Sequence, residues 1–452
     1  MTLPTSSMTA TPEQSLALSA MLTFLEQFHE DPTNDRFFVL KGYAGTGKSF
    51  SITLLAKSSK EGKARWLPDA TLRERWNQER RFQPDHICFT APTNKAVKVL
   101  RNYLDTNGLA SSPSKTIYSL LGLSLQANGE VKELAKPEDP VNLSSFKVIV
   151  VDEASMVNRF LMDAIREAST KWKVPFIFMG DPAQLPPVGE ITSPVWKLAR
   201  GVELTTVMRY GNSMLDLATS IRKVVDHPVP SVKITTNPPV HRLSRGDWCN
   251  QIEADIGLFK SGDAKIIAWR NVTVDGHNAF VRKLIYGPAE AKASIWLPGD
   301  KIVATSMLKN LDDEIFMRTD EESTILEVVL GHHPRHSEFE IWNLLVEDER
   351  EAKVTIRTLS PSGQFALNNR LNELSIEAKS GKKWKWREFW QLKEAFNEVR
   401  HSYALTSHRS QGSSYLKTFI DLEDIMLNRN RGEAFRSLYV ACTRQREALY
   451  VT

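Results

Sequence analysis

The chain has 452 residues, 41% hydrophobic and 25% charged, with 58 basic against 54 acidic side chains. That length excludes a single compact core and predicts two to four domains. No run approaches the roughly 18 apolar residues that span a bilayer, which excludes a membrane-spanning helix, and a net charge of +4 permits a polyanionic partner only if basic groups gather in a groove.

Met1–Ala10 is polar and lacks a charged-then-apolar secretory pattern, so a cytoplasmic location is expected. A helix is predicted from Thr11, with Pro12 at its first position and Leu16, Ala20 and Phe24 along it. Short apolar runs follow at Phe37–Leu40, Ile87–Phe89, Val148–Val151 and Phe176–Met179. Being apolar on both faces, they suit buried strands of a parallel sheet with helices between them, an α/β fold.

Gly42-Tyr43-Ala44-Gly45-Thr46-Gly47-Lys48-Ser49 matches GxxxxGK[ST] between a predicted strand and a predicted helix. The glycines let backbone N–H groups curl around phosphate at the positive end of the helix. Gly42, Ala44, Gly45, Thr46 and Gly47 form the cradle, Lys48 reaches the β- and γ-phosphates, and Ser49 offers a hydroxyl to Mg²⁺. The pattern points to a nucleoside triphosphate, and is silent about what its energy drives.

The polar stretch Lys60–Asp85 reads as a surface insertion. Beyond it, Leu123–Leu134 reads as two short strands around Asn128-Gly129. Asp152-Glu153 ends the run at Val151, where open α/β sheets bind ligands. Asp152 is suited to hold the metal, and Glu153 to orient and deprotonate a water. Gly180-Asp181-Pro182-Ala183-Gln184 ends the next run in the same way, and Gln184 is suited to bond both the γ-phosphate and that water.

A second α/β domain is predicted from Ile266–Trp269, Thr418–Ile420 and Leu449–Val451. Between about 296 and 400 the strand–helix rhythm is lost, and Lys301–Ala304 and Ile325–Leu330 suggest an inserted β-rich domain. His332, His333 and His336 sit in a polar, loop-like stretch and read as surface. Trp386, Phe389 and Trp390, among lysines, have the spacing of a packed helix face, with strand binding as the alternative. Cys88, Cys249 and Cys442 form no CxxC pair and read as reduced thiols.

Hydrolysis also needs positive charge from a separate element, contributing about 10³–10⁵ in rate. Arg209 in Leu204–Arg209 and Arg444 in Tyr439–Arg444 are the candidates. A lone arginine is more often a solvated surface residue, so their surroundings decide.

Taken in order, these segments resemble the motifs of superfamily 1 helicases. Gly42–Ser49 resembles motif I, Phe89–Lys95 motif Ia, Asp152–Ser155 motif II and Gly180–Pro187 motif III. Leu204–Arg209 is similar to motif IV, Ala404–Gly412 to motif V and Leu438–Arg444 to motif VI, while Thr11–Gln14 resembles the Q motif, whose glutamine reads adenine. Within the superfamily the chain is similar to the RecD-like branch, in its phage Dda type, through Trp386–Trp390 and Asn271–Asn278 with Arg282 as well. It departs at Asn94 and Tyr118, where histidine is usual, and at Arg409, where lysine is common, leaving the nucleotide motifs intact.

The resemblance implies two RecA-like P-loop domains with an inserted β-hairpin, or pin, and an inserted SH3-like β domain. Their expected limits are 1–120 with 141–200, 121–140 for the pin, 201–295 with 401–452, and 296–400 for the SH3-like domain with a helical arm. It further implies an ATP-dependent DNA helicase that moves 5′→3′ on single-stranded DNA and unwinds duplex, its nucleotide cleft opening and closing with hydrolysis. Lys48, Glu153, Gln184, Arg209 and Arg444 would act on the phosphates, Gln14 on the adenine, and Ser49 and Asp152 on Mg²⁺.

The same resemblance implies strand contacts from Pro92, Thr93, Asn94, Lys95, Thr116, Ser119, Asn271, Thr406 and His408. Lys95 taken alone reads rather as a plain surface lysine. Single-stranded DNA and its junctions with duplex are the expected partners, with single-strand-binding or replication proteins as candidates and a monomer as the working form. A P-loop phosphotransferase or regulatory ATPase that never translocates, and an RNA translocase of the same superfamily, remain alternatives.

Overall fold

The computed structural model describes residues 10–61, 84–128, 131–207, 213–225, 227, 231–234, 237–348 and 351–452. Arg209 and most of the polar stretch predicted as a surface insertion lie outside the described residues. The chain divides into two compact units. The first runs through Ser124, resumes over Lys136–Val232 and takes in Phe435–Thr443; the second comprises Leu125–Ala135, Lys233–Ala434 and Arg444–Thr452.

In the first unit six parallel strands lie in the order Ser114–Thr116, Ile87–Ala91, Val148–Val151, Phe176–Gly180, Phe37–Gly42, Gly201–Leu204. Every residue of the three strands at 87–91, 148–151 and 176–180 is buried, as the unbroken apolar runs require of a sheet covered on both faces. Phe38, Leu40, Ile87, Phe89, Val148, Val150, Ile177 and Met179 share one core with Leu18, Met21 and Leu25 of the helix Pro12–Glu30. Each such buried side chain contributes about 1.5–3 kcal/mol relative to exposure. Because the strands are parallel, the segments after Gly42, Ala91, Thr116, Val151, Gly180 and Leu204 all leave from one edge of the sheet.

The second unit holds another parallel sheet, in the order Ala404–Thr406, Ala264–Ala268, Tyr415–Ile420, Gln445–Val451, Val240–Arg242. Beside it stands an antiparallel sheet of Lys353–Leu359, His336–Asp348, Glu322–His333, Lys301–Ala304 and Val399–His401. Its first and last strands in the chain pair with each other, Ile302 opposite His401, so this sheet enters and leaves the chain path at neighbouring points. Two ion pairs, one part-buried and one buried, join the elements around these sheets. Lys265 Nζ donates to Glu322 Oε2 (2.6 Å) and Ser402 O (2.5 Å). Arg282 Nε donates to both oxygens of Asp300 (3.0 and 3.1 Å), and Tyr403 donates its hydroxyl to the same carboxylate (3.1 Å).

Ser124–Asn128 and Val131–Ala135 form a two-stranded sheet, its turn at Gly129 outside the described residues. Lys132 on its second strand pairs with Glu394 and lies 5.0 Å above the Trp390 ring. Trp390, Trp386 and Phe389 pack edge-on along the helix Lys385–Lys393 against Phe339, Leu367, Leu374 and Phe396. The core reading of this aromatic stripe therefore holds, and one of its rings also carries the hairpin's lysine.

Of the three histidines expected at the surface, His332 is exposed but His333 is not. His332, His333 and His336 belong to the ends of two long paired strands, and His333 is only 3% exposed, against Phe396 and His336. The polar neighbourhood concealed this because alternation, not composition, decides which strand residues face inward. Burial, with His336, Arg357 and Arg335 around it and only Glu338 opposing, pushes His333 down to about 4.

The unfolded chain therefore takes up the proton first, and stability falls as pH drops from about 6.5 toward about 4. The full effect is on the order of 3 kcal/mol. A His333→Gln protein should lack that slope in melting curves taken across the window. A slope identical to wild type would show that His333 is not its source.

Candidate nucleotide and nucleic-acid sites

The nucleotide loop follows the strand Phe37–Gly42 and ends in the helix Lys48–Glu61. Gly45 and Gly47 have φ of 86° and 85°, a region that penalises any residue with a Cβ. At Gly47 a Cβ would also lie 2.3 Å from Gln14 Nε2, so only glycine admits this approach. Lys48 Nζ donates to the carbonyls of Gly42 (2.6 Å) and Tyr43 (2.9 Å), which holds the ammonium directly over the loop.

Gln14 arrives from the first helix. Its Oε1 accepts the Thr11 N–H (3.0 Å), closing a capping box, while Nε2 donates to Thr46 O (3.2 Å). The amide thus braces the loop, keeping one N–H and one lone pair for another partner. Glu13 beside it accepts Thr205 N–H (3.0 Å), Thr206 N–H (2.9 Å) and the Thr205 hydroxyl (2.6 Å), bonds that hold its carboxyl below the usual range. Nothing in the local sequence marked Glu13, although its place in the cap was visible.

Asp152 and Glu153 follow the strand Val148–Val151. Desolvation raises the Asp152 pKa against the Glu153 N–H (2.8 Å) and the charge of Lys48. Glu153 adopts φ 50°, ψ 45°, left-handed for a residue with a Cβ. Such strain costs on the order of 1–3 kcal/mol and is typical of a side chain aimed by its loop. Ser193 Oγ lies 2.9 Å from Ala154 O and 2.8 Å from Val157 O, pinning the turn that follows.

Asp181, wholly buried, follows the next strand. It accepts the Ala44 N–H of the nucleotide loop (3.1 Å), the Ala183 N–H (3.0 Å) and the Tyr439 hydroxyl (2.6 Å). Arg436, on the helix Arg431–Ala441 with Tyr439, donates to Pro182 O and to Gln184 O (3.1 Å). Gln184 itself is 6% exposed. Asp181, Arg436 and Tyr439 were not singled out from sequence.

Arg222 is a further cation the sequence did not flag, 3.2 Å from the Tyr43 ring centroid. Arg444 belongs to the second unit, where its guanidinium is almost wholly buried and donates to Ser413 O (3.3 Å). It is not a solvated surface arginine.

The candidate strand contacts also occupy strand ends. Pro92 to Lys95 follow Ile87–Ala91, with Thr93 accepting Ala96 N–H (3.2 Å) at the start of the 13-residue helix Asn94–Thr106. Thr116, in register beside Ala91, accepts Ser119 N–H (3.1 Å). In the second unit Asn271, Thr406 and His408 line one polar groove of about 520 Å³ with Trp269, Thr305, Glu398, Arg400 and Arg409. Burial holds His408 below its ordinary pKa and so favours neutral imidazole. Arg400, which the sequence did not flag, reaches Asn271 Oδ1 at 3.4 Å.

Residues 23–226 match the family model described as AAA domain, and residues 401–452 match UvrD-like helicase C-terminal domain. Together they take in more than half of the chain, including the nucleotide loop and both segments that resemble motifs V and VI. The chain is 27% identical to the ATP-dependent DNA helicase dda of Enterobacteria phage T4, over 81% of this chain and 87% of that one. The chain carries the domain pair of a superfamily 1 helicase and is similar to the Dda type.

A second relative of this helicase is the uncharacterized protein R530 of Acanthamoeba polyphaga mimivirus, 24% identical over 97% of this chain and 98% of that one. In fold the helicase is similar to a structure described as two coordinating Pif1 helicases unwinding forked duplex DNA, with a TM-score of 0.50 and 15% identity over 98% of this chain and 92% of that one. A phosphotransferase lacking a helicase C-terminal domain is thereby set aside. No helix among the described residues of the helicase is long and apolar enough to cross a membrane.

Proposed function

We propose that this helicase is an ATP-dependent DNA translocase that moves 5′→3′ on single-stranded DNA and separates duplex ahead of it. The observation that carries the reading is the nucleotide loop bonded through Asp181 to the helix that bears motif VI, within a helicase-family chain. Backbone N–H groups of residues 42–47 hold the phosphates, Lys48 neutralises them, and the free N–H and lone pair of Gln14 suit an adenine edge.

Ser49 and Asp152 fit Mg²⁺, a hydroxyl and a carboxylate being a usual protein contribution when phosphate oxygens supply further ligands. That ion would neutralise charge on the phosphates. Glu153 orients and deprotonates the attacking water, Gln184 positions it, and Arg209 and Arg444 meet the charge that develops on the transferred phosphate.

Pro92–Lys95, Thr116 and Ser119 are the strand contacts within the first unit, and Asn271, Thr406 and His408, in their own groove, those within the second. The hairpin at 124–135, steadied by Lys132 on Trp390 and Glu394, acts as the pin, and the antiparallel sheet as the SH3-like domain that carries its brace. Hydrolysis should be slow alone and strongly stimulated by single-stranded DNA, with the stimulation weakening steeply as salt rises. Equal stimulation by RNA and DNA oligomers of one length would favour an RNA translocase instead. A rate indifferent to either would remove the motor reading.

A further inference from the structure

Asp181 has no solvent access, so each of its bonds must come from protein, and its three donors belong to three different segments. One is Ala44, inside the nucleotide loop. Another is Ala183, which fixes the turn leading to Gln184. The third is Tyr439, itself 1% exposed, whose hydroxyl approaches to 2.6 Å. Burial and the neighbouring carboxylate push the phenol well above its ordinary pKa, so it remains a donor.

Three residues earlier in the chain Arg436 grips the carbonyls of Pro182 and Gln184. Helix and turn are therefore joined at two points, and the nucleotide loop is joined to both through one carboxylate. Arg444 follows Tyr439 by five positions in the chain.

We propose that Tyr439 is a positioning residue: its bond to Asp181 sets the register between the nucleotide loop, the Gln184 turn and the motif VI helix at which ATP is hydrolysed rapidly. The inference rests on the ATPase reading above. Tyr439 touches neither phosphate nor water; it acts through Asp181. A loop that shifts as it grips phosphate moves the Ala44 N–H, and Asp181 passes that shift to the helix through the hydroxyl. The coupling is a single hydrogen bond to a carboxylate, among the stronger neutral-donor bonds.

Tyr439→Phe keeps the buried ring and deletes only that donor. DNA-stimulated kcat should fall about tenfold, while the KM for ATP moves by less than about twofold, the signature of an interaction that matters in the transition state. Melting temperature should fall modestly, as loss of one donor to a buried carboxylate requires, so the deciding readout is the kcat loss at unchanged KM, which a purely structural role would not produce. Asp181→Asn supplies the second arm. If the bond is the channel, the double variant should be no slower than the slower single variant, because both remove one interaction.

A kcat within about twofold of wild type, a KM rise at unchanged kcat, or additive losses in the cycle would each overturn the proposal. Absence of DNA-stimulated hydrolysis in the wild-type protein would instead overturn the ATPase reading itself, so the two failures are distinguishable.

Discussion

Lys48→Ala should give a folded protein whose kcat for ATP is lower on the order of 10²–10³-fold. The argument begins with geometry. Lys48 Nζ is held over the nucleotide loop by the Gly42 and Tyr43 carbonyls, where a β–γ phosphate pair would replace those neutral acceptors with charged ones. Alanine removes the ammonium but preserves the helix start, and alanine is the best helix former. The loss therefore falls on charge stabilisation while the fold is kept. The check is a steady-state assay beside a melting curve: unchanged melting with lost turnover is expected, and unwinding should vanish with hydrolysis. Turnover near wild type would mean that the nucleotide is held elsewhere.

The largest effect on stability should come from Arg282→Met. Arg282 is almost buried, Asp300 entirely so, and the guanidinium supplies both Nε contacts besides donating to Ala291 O (3.2 Å) and Ser294 O (3.0 Å). Removing it leaves Asp300 with the Leu297 N–H (2.9 Å), the Tyr403 hydroxyl and His401 at 3.5 Å, which do not balance a buried charge. Breaking such a pair costs about 3–5 kcal/mol. The melting transition of the second unit should drop on the order of 10 °C.

The same bonds and charges hold Asp300 below its usual pKa, although burial opposes them. Its contribution is thus complete above the unfolded carboxylate pKa and is lost as pH falls through the lower folded value. In the Arg282→Met protein that acid-side loss should shrink. A variant that melts within a degree or two of wild type would mean that the pair contributes nothing net to stability.

What could be read from the sequence follows one physical rule. Phosphate chemistry takes place at the C-terminal ends of parallel strands, so Gly42–Ser49, Asp152-Glu153 and Gln184 betray themselves by following apolar runs. Thr93, Thr116 and Thr406 were supplied by the resemblance to the helicase motifs, and each is now seen capping the helix that follows its strand. The spacing of Trp386, Phe389 and Trp390 gave their packed face for a local reason, the period of a helix.

What was missed depends on distance along the chain. Asp181 and Tyr439 are 258 positions apart, Glu13 and Thr205 are 192 apart, and no local pattern links either pair. His333 was misread because its strand carries polar residues on both sides, and only the partner ring of Phe396 shows which way it faces.

Unwinding of duplexes carrying a 5′ or a 3′ single-stranded tail, with ATP and Mg²⁺ at low salt, reads the motor and its direction together. The 5′-tailed duplex should be separated, the 3′-tailed one left intact, and both left intact by the Lys48→Ala protein. Equal separation of the two would contradict the direction, and separation of neither by a protein that hydrolyses ATP would contradict the motor.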